Sequence, residues 1–230
     1  MWASFYRNFI TNEGYKTVLQ GLENTLIIAV TGLVIGIILG AIVACFQVAG
    51  KRNKVVSVFA RIGDIYTAIF RGTPIIVQIF LFHFVLFPVM GIRLNGLVEC
   101  CIVFGLNSGA YVSEIMRGGI LSVDVGQLEA GRTLGLSYIV TMLRVVVPQA
   151  IKNVIPTLGN EFITLTKDTS VAGYASIMDL TFAFRSLTDG GTNVMAPYIV
   201  LAICYLIIIA FFTIIIRIVE RRLRKSEKRS

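Results

Sequence analysis

Long apolar stretches divide the chain, separated by short polar and charged connections. Residues 21–46 contain Glu23 as their only charge, and residues 196–216 contain none. A helix needs about 20 apolar residues to cross the hydrocarbon core of a bilayer, so each stretch predicts a membrane-spanning helix. Three further apolar stretches cover residues 55–90, 97–116 and 150–166. The pattern therefore predicts an all-α integral membrane protein with about five spans.

The composition supports a membrane protein rather than a soluble one. Hydrophobic residues make up 56% of the chain, charged residues 15%, and the mean hydropathy is +0.80. Such a chain has too little polar surface to cover a water-soluble globule. Cys45, Cys100, Cys101 and Cys204 lie inside apolar stretches without the spacing of metal ligands, so we interpret them as packing residues and expect no metal site. The single histidine, His83, is likewise interpreted as a core or interface residue.

The positive charge of the chain is concentrated beside the predicted spans. Seven basic residues follow the last span between 217 and 229, and others cluster at 51–54 and 117–144. Basic residues flank membrane spans on the cytoplasmic side, so these segments are expected inside the cell. The net charge of +8 is not accompanied by the interleaved aromatic residues of a nucleic-acid site, and we expect no nucleic-acid partner.

This charge distribution decides how residues 55–90 are interpreted. Two short spans joined by an external loop would place the basic cluster at 51–54 outside the cell. One long tilted helix places that cluster inside and leaves Arg71 near mid-membrane. We therefore predict a single domain over residues 1–230, with its N-terminus outside, its C-terminal tail inside, and a cytoplasmic connection at about 118–148.

The cytoplasmic connection carries the signals of two short helices. Asp124 can cap the first helix, and Gly135 can end it in the left-handed conformation that glycine adopts readily. Ser137 can cap the second helix, and Pro148 should limit it. A helix-turn-helix of this size has almost no core of its own, so we expect it to dock onto a partner.

One stretch of this connection resembles a known motif. Glu129, Ala130 and Gly131 are followed at fixed spacing by Gly135 and a proline. The stretch is similar to the EAA motif of ABC importer permeases, with glycine in place of the second alanine. The resemblance implies coupling helices that insert into a groove of a cytoplasmic ATPase subunit, which binds ATP and Mg²⁺. Small residues would permit close docking, and Glu129 and Arg132 would supply charged contacts.

The resemblance extends over roughly residues 20–218, to the polar amino-acid importer permeases of the histidine, glutamine and arginine type. The segments that carry it are 71–74 with Gln78, 107–111 with Glu114, 159–162, and 167–170. It implies the type I ABC importer permease fold in a bacterial cytoplasmic membrane. It also implies three kinds of protein partner: a second permease subunit, identical or homologous, a pair of ATPase subunits, and an extracytoplasmic amino-acid-binding protein.

Polar residues within the predicted spans are candidates for contact with a transported amino acid. Pro74 lacks the N–H that a helix needs, which frees backbone polar groups near Arg71. Arg71 either forms a structural ion pair or contacts the substrate, because an unpaired cation is costly at that depth. Asn107 either offers its amide to an amino acid or forms a hydrogen bond between helices.

Two carboxylates in the fourth predicted span give the sharpest candidate site. Glu161 lies roughly 16 Å from the cytoplasmic end near residue 150, at a depth where a carboxylate is costly and usually functional. Asp168 is seven residues farther on, so both acids share one helical face about 10 Å apart, while Lys167 points elsewhere. The two acids either bind the α-ammonium and the side-chain cation of one ligand, or pair with Arg71 or Lys167.

These features favour an uptake permease for basic amino acids, namely arginine, lysine or histidine, with glutamine or another polar amino acid as the alternative. A secondary transporter or channel is the other class, in which Glu161 and Asp168 would carry protons or ions. That class would not need the coupling segment. The sequence contains no G-x-x-x-x-G-K-[ST] motif, so we expect ATP hydrolysis in a separate subunit and no cofactor bound by this chain.

Overall fold

Helices form the described secondary structure, which confirms the predicted all-α class. The computed structural model describes residues 2–49, 54–175, 177–188 and 194–227. In chain order the α-helices are α1 (Trp2–Tyr6), α2 (Gly14–Ala49), α3 (Lys54–Gly72), α4 (Ile75–Leu81), α5 (Phe87–Val89), α6 (Gly96–Leu121), α7 (Val125–Thr133), α8 (Tyr138–Thr141), α9 (Val147–Asp168), α10 (Leu180–Ser186) and α11 (Met195–Glu227). The basic residues predicted at 51–53 and the end of the tail at 228–230 lie outside the described residues.

Four helical segments are each long and apolar enough to cross a membrane: Gly14–Ala49, Gly96–Leu121, Tyr138–Ala175 and Met195–Leu223. A fifth span is present if the bent pair Lys54–Gly72 and Ile75–Val89 crosses as one unit. The predicted number of spans is thus reproduced within the described part of the chain. The spans are longer than the apolar stretches because the helices continue into polar sequence at their ends.

The prediction of one long helix over residues 55–90 is wrong. The chain bends by 105° between α3 and α4. Pro74 precedes α4 in an extended conformation, with φ −63° and ψ 140°. Because Pro74 has no N–H to donate to the carbonyl of Phe70, the α3 helix ends at Gly72. The bend places Arg71 in the last turn of α3, with 44% of its side chain exposed.

Helices α2 and α6 pack closely through small residues. The closest approaches pair Gly32 with Phe104, Gly36 with Ser108, and Gly40 with Val112. Because the residue numbers rise together in these pairs, the two helices run in the same direction. The segment between them must therefore return across the bilayer, which supports the bent pair as the fifth span. A Cβ atom on Gly36 would lie 2.5 Å from Ser108 Oγ, so only glycine permits this separation.

The second short helix of the connection at 118–148 continues into a span. Helix α8 passes through a π-helical turn at Met142–Val146 and joins α9. Pro148 therefore does not limit this helix, and that prediction is wrong. Pro148 occupies the first turn of α9, where the preceding π-helical turn has already altered the hydrogen-bond register.

A short helix that the apolar pattern did not predict lies between α9 and α11. Asp179 caps this helix, α10, by accepting hydrogen bonds from the N–H groups of Thr181 and Phe182, each at 2.9 Å. The N–H of Leu180 donates to Thr25 Oγ1 of α2 at 3.1 Å. These contacts attach α10 to the N-terminal part of α2, on the side of the bundle away from α7 and α8.

Candidate substrate and coupling sites

The two short helices predicted between residues 118 and 148 are present, and both are capped as predicted. Asp124 Oδ1 accepts a hydrogen bond from the N–H of Gly126 at 2.8 Å, at the start of α7. Ser137 Oγ accepts one from the N–H of Val140 at 3.3 Å, at the start of α8. Gly135 lies between them with φ +82°, the left-handed conformation that favours glycine.

Gly131 brings α7 and α8 into contact. A Cβ atom on this glycine would lie 2.4 Å from Thr141 Cγ2, and both residues are buried. The N–H of Leu136 donates to the Gly131 carbonyl at 3.1 Å and closes the turn. Any larger side chain at this position would push the two helices apart, which explains why glycine stands where the motif has a second alanine.

The remaining residues of the motif face outward. Glu129, Ala130 and Arg132 are exposed, and neither charged side chain forms an ion pair within the described part of the chain. Leu134 and Ile139 beside them are 81% and 66% exposed. This surface combines uncovered apolar side chains with unpaired charges, as expected of a region that contacts another protein.

A hydrogen-bond network closes the break between α3 and α4. Gln78 Nε2 donates to the carbonyl of Phe70 at 2.8 Å and to that of Thr73 at 3.0 Å. Gln78 thereby replaces the backbone donor that Pro74 lacks. Asn107 Nδ2 of α6 donates to Gln78 Oε1 at 3.0 Å, and both side chains are buried. This contact is a hydrogen bond between helices, which was one of the two interpretations of Asn107.

We expect Gln78→Leu to destabilise the protein, because two carbonyl groups freed by the helix break would lose their shared donor. The cost should be about 1–3 kcal/mol, as for buried polar groups left without partners. Asn107→Ala should have a smaller effect, since it removes one donor to Gln78. Thermal unfolding of the purified protein measures both changes, with Gln20→Leu, an exposed amide on α2, as the control. Equal stability of Gln78→Leu and wild type would contradict this role.

Arg71 reaches from the end of α3 to a charged group on α6. Its Nη1 lies 3.7 Å from Glu114 Oε2, and its guanidinium lies 5.4 Å from the ring centre of Tyr111. Arg117 Nη2 contacts the same carboxylate oxygen at 2.6 Å. Glu114 is therefore shared by two cations, and the partly exposed guanidinium of Arg71 keeps N–H groups available for a further partner.

The two acids of α9 lie on one helix, as predicted, and remain without a cation. Glu161 is 9% exposed, and its Oε1 accepts a hydrogen bond from Ser108 Oγ of α6 at 3.3 Å. Asp168, in the last turn of α9, is half-buried. Among the described residues neither carboxylate forms an ion pair with a lysine, arginine or histidine, so the predicted alternative of pairing with Arg71 or Lys167 is not realised.

His83 contacts a second buried acid, Glu99. Its Nδ1 lies 2.5 Å from Glu99 Oε2, which joins the far half of the bent span to the first turn of α6. This contact agrees with the interpretation of His83 as an interface residue. Within the described residues no group of three or more histidine, cysteine, aspartate or glutamate side chains is placed to hold a metal ion.

Comparison with known sequences identifies the family. Residues 32–225 match the sequence profile of the family described as "Binding-protein-dependent transport system inner membrane component". The chain belongs to this family of transport permeases. It is an amino-acid ABC importer permease, as the motif resemblance implied.

This permease is similar over nearly its whole length to curated relatives. It is 36% identical to a Rickettsia bellii protein provisionally named glutamine transport system permease protein GlnP, over 90% of this chain and 92% of the relative. It is 34% identical to the arginine transport system permease protein ArtQ of Bacillus subtilis, over 91% of this chain and 94% of the relative. A solved structure described as an amino acid ABC transporter with histidines matches with a TM-score of 0.83 and 31% identity, covering 92% of this permease and 96% of that chain.

Sequence reasoning located the acids of this permease but not the residues that contact them. Ser108 was part of a recognised segment, yet nothing in the sequence indicates that its hydroxyl reaches Glu161. The role of Gln78 could have been predicted from the sequence. Gln78 follows Pro74 by four residues, so its side chain can reach the carbonyl groups that the proline leaves without a donor. The pairing of Arg71 with Glu114 bridges 43 residues, so only the folded structure could reveal it.

Proposed function

We propose that this permease carries basic amino acids, such as arginine, lysine or histidine, into the cell. The observation that carries the proposal is the pair of acids on α9, Glu161 and Asp168, neither of which pairs with a cation within the described residues. A buried carboxylate without a cationic partner is costly, so a ligand with two positive groups would satisfy both. Arg71 forms its ion pair with Glu114 of α6 and not with either of these acids.

Each candidate residue has a distinct role in this proposal. Asp168 binds the α-ammonium group of the amino acid, and Glu161 binds the cationic side chain about 10 Å away along the helix. Arg71 contacts the ligand through the N–H groups that Glu114 does not occupy. Asn107 adds a hydrogen bond from the neighbouring helix, beyond the one it makes to Gln78.

Glutamine or another polar amino acid is the second candidate substrate. The Rickettsia bellii relative carries a glutamine transport name and the Bacillus subtilis relative an arginine transport name, at nearly equal identity to this chain. A neutral side chain would leave one acid of the pair without a positive partner. The geometry of α9 therefore favours a basic amino acid over glutamine.

We further infer that the permease works in a complex with several partners. The exposed surface of α7 and α8 would bind ATPase subunits that hold ATP and Mg²⁺. Glu129, Ala130, Arg132 and Gly135 form this surface, and the buried Gly131 holds the two helices together beneath it. A second permease subunit, identical or homologous, would complete the membrane portion. An extracytoplasmic amino-acid-binding protein would deliver the substrate, and this chain would bind no cofactor.

We also propose that the N-terminus lies outside the cytoplasmic membrane and the C-terminal tail inside. The motivating observation is the set of seven basic residues between 217 and 229, after the last span. In a background without native cysteines, a membrane-impermeant thiol reagent should label Asn12→Cys on intact cells and leave Ser226→Cys unlabelled. Equal labelling at both positions would exclude this orientation.

Uptake into proteoliposomes tests the proposed function. The permease, assembled with its ATPase subunits and supplied with the binding protein, should take up radiolabelled arginine only when ATP is present. Glutamine at the same concentration should be taken up more slowly. Uptake by the permease alone, driven by an ion gradient without ATP, would instead indicate a secondary transporter.

A further inference from the structure

A cleft of about 640 Å³ opens on the membrane face between the end of α9, α10 and α11. One wall is apolar and is supplied by Leu201, Ala202, Leu206 and Ile209 of α11. Helix α11 has little covering in this chain, and 70% of the Leu206 side chain is exposed. In this chain the cleft therefore opens outward, away from the packed interior of the bundle.

The polarity of the cleft changes along its length. Lys167 and Ser170, at the end of α9, and Tyr198, in the first turn of α11, line one part of it. Both helix ends lie on the side of the membrane opposite α7 and α8, because α9 begins beside those helices and crosses away from them. Tyrosine and lysine are residues that commonly lie at the membrane–water interface. The polar part of the cleft is therefore at the membrane surface.

The length of the cleft corresponds to one leaflet. Tyr198 and Ile209 are eleven residues apart on a continuous helix. At 1.5 Å per residue this separation is about 16 Å, close to half of a hydrocarbon core of about 30 Å. An acyl chain that begins at the membrane surface would follow the apolar wall to the bilayer midplane.

The positive charge of Lys167 determines which lipid headgroup fits the cleft. Lys167 forms no ion pair with an acidic side chain among the described residues, and its side chain is exposed. An ammonium group at the edge of an apolar surface attracts an anion, and the hydroxyl groups of Ser170 and Tyr198 are hydrogen-bond donors beside it. A phosphate ester with an attached acyl chain matches both parts of the cleft.

We propose that this cleft is a binding site for an anionic phospholipid of the leaflet opposite the coupling helices. The lipid phosphate contacts Lys167, and one acyl chain lies along Leu206 and Ile209. The site is separate from the proposed substrate site, because Lys167 projects from a different face of α9 than Glu161 and Asp168. The lipid site does not depend on the substrate proposal, because Lys167, Leu206 and Ile209 are not among the residues proposed to bind the amino acid.

Native mass spectrometry of the transporter assembled with its ATPase subunits tests the lipid site. The probes are phosphatidylglycerol and phosphatidylcholine with identical acyl chains, added to the delipidated complex. Wild type should retain more phosphatidylglycerol than phosphatidylcholine. At limiting lipid, Lys167→Gln should reduce the retained phosphatidylglycerol about fivefold, because one cation at the membrane surface contributes about that much to anionic lipid binding. Lys167→Arg keeps the positive charge and should restore retention. Ala202→Trp, which fills the apolar wall, should reduce retention of both lipids.

Two control variants match these changes outside the cleft. Arg185→Gln removes a cation of α10 on the same side of the membrane, and Ile203→Trp places the same indole side chain at an exposed position of α11 outside the cleft. Both should retain lipid as wild type does. Equal retention of the two lipids by wild type, or an unchanged preference in Lys167→Gln, would overturn the proposal. If Ala202→Trp separated two permease subunits without changing lipid retention, the cleft would be a protein interface instead.

Discussion

Replacing Glu161 by glutamine should weaken arginine binding to the assembled transporter by about thirtyfold or more, which corresponds to roughly 2 kcal/mol. The substitution removes the charge and keeps a side chain that can still meet Ser108, whose hydroxyl contacts Glu161 Oε1 at 3.3 Å. Glutamine binding should change much less, because a neutral side chain gains nothing from the carboxylate. The ratio of arginine to glutamine affinity, measured by competition against radiolabelled arginine, is therefore the informative quantity.

The two acids should differ in this assay. Asp168→Asn should weaken arginine and glutamine binding alike, because both ligands carry the α-ammonium group that Asp168 is proposed to bind. Glu99→Gln is the matched control, since it removes another buried carboxylate that contacts His83 and not the proposed site. An unchanged affinity ratio in Glu161→Gln, together with a wild-type preference for glutamine, would show that Glu161 is structural.

Replacing Gly131 by leucine should reduce the rate of ATP-driven uptake more than tenfold, while ligand binding to the complex is retained. A tenfold change corresponds to roughly 1.4 kcal/mol of lost coupling free energy between the permease and the ATPase. Even a Cβ atom at this position would clash with Thr141 Cγ2, so leucine must separate α7 from α8 and change the surface offered to the ATPase. Gly135→Leu should have a smaller effect. Its cost is a side chain in the left-handed conformation, about 1 kcal/mol, with no atom within 4 Å of the new Cβ.

Substrate-stimulated ATPase activity and uptake, measured on the same preparations as ligand binding, distinguish a coupling defect from a folding defect. A coupling defect lowers the first two and leaves ligand binding intact. Gly118→Leu is the control, because this helical glycine of α6 also has no atom within 4 Å of a Cβ and lies outside the turn. Glu129→Ala should lower stimulation without lowering arginine affinity. Normal uptake in a protein carrying Gly131→Leu, Gly135→Leu and Glu129→Ala together would exclude this segment as the coupling site.

Two prolines show what a local sequence signal can and cannot predict about a helix. The sequence predicts one continuous helix through Pro74 and the end of a helix at Pro148. The chain instead bends by 105° before α4 and continues as helix through Pro148 into α9. The difference depends on which groups replace the missing N–H. At Pro74 the side chain of Gln78 bonds to the freed carbonyl of Phe70, whereas at Pro148 a π-helical turn adjusts the backbone. Such compensation depends on packing, so sequence alone predicts the proline and not its outcome.

The candidate site residues divide in the same way between local signals and distant contacts. Glu161 and Asp168 could be predicted because a charge within an apolar stretch stands out and seven residues place two side chains on one helical face. The caps of α7 and α8 are local signals, and they were also predicted correctly. The partners of Arg71 and Asn107 are contacts between distant segments. They depend on the bend after α3 and on the close approach of α2 to α6, which no spacing in the sequence reveals.

The comparison of arginine with citrulline tests the central claim most directly, because the two ligands share nearly the same shape and differ in side-chain charge. Equilibrium binding of each to the purified wild-type transporter, in the absence of the binding protein, isolates the contribution of the permease. The acids on α9 predict that arginine binds at least about tenfold more tightly, since its guanidinium pairs with Glu161. Equal affinity for the two ligands would contradict the account and would leave Glu161 without a role in choosing the substrate.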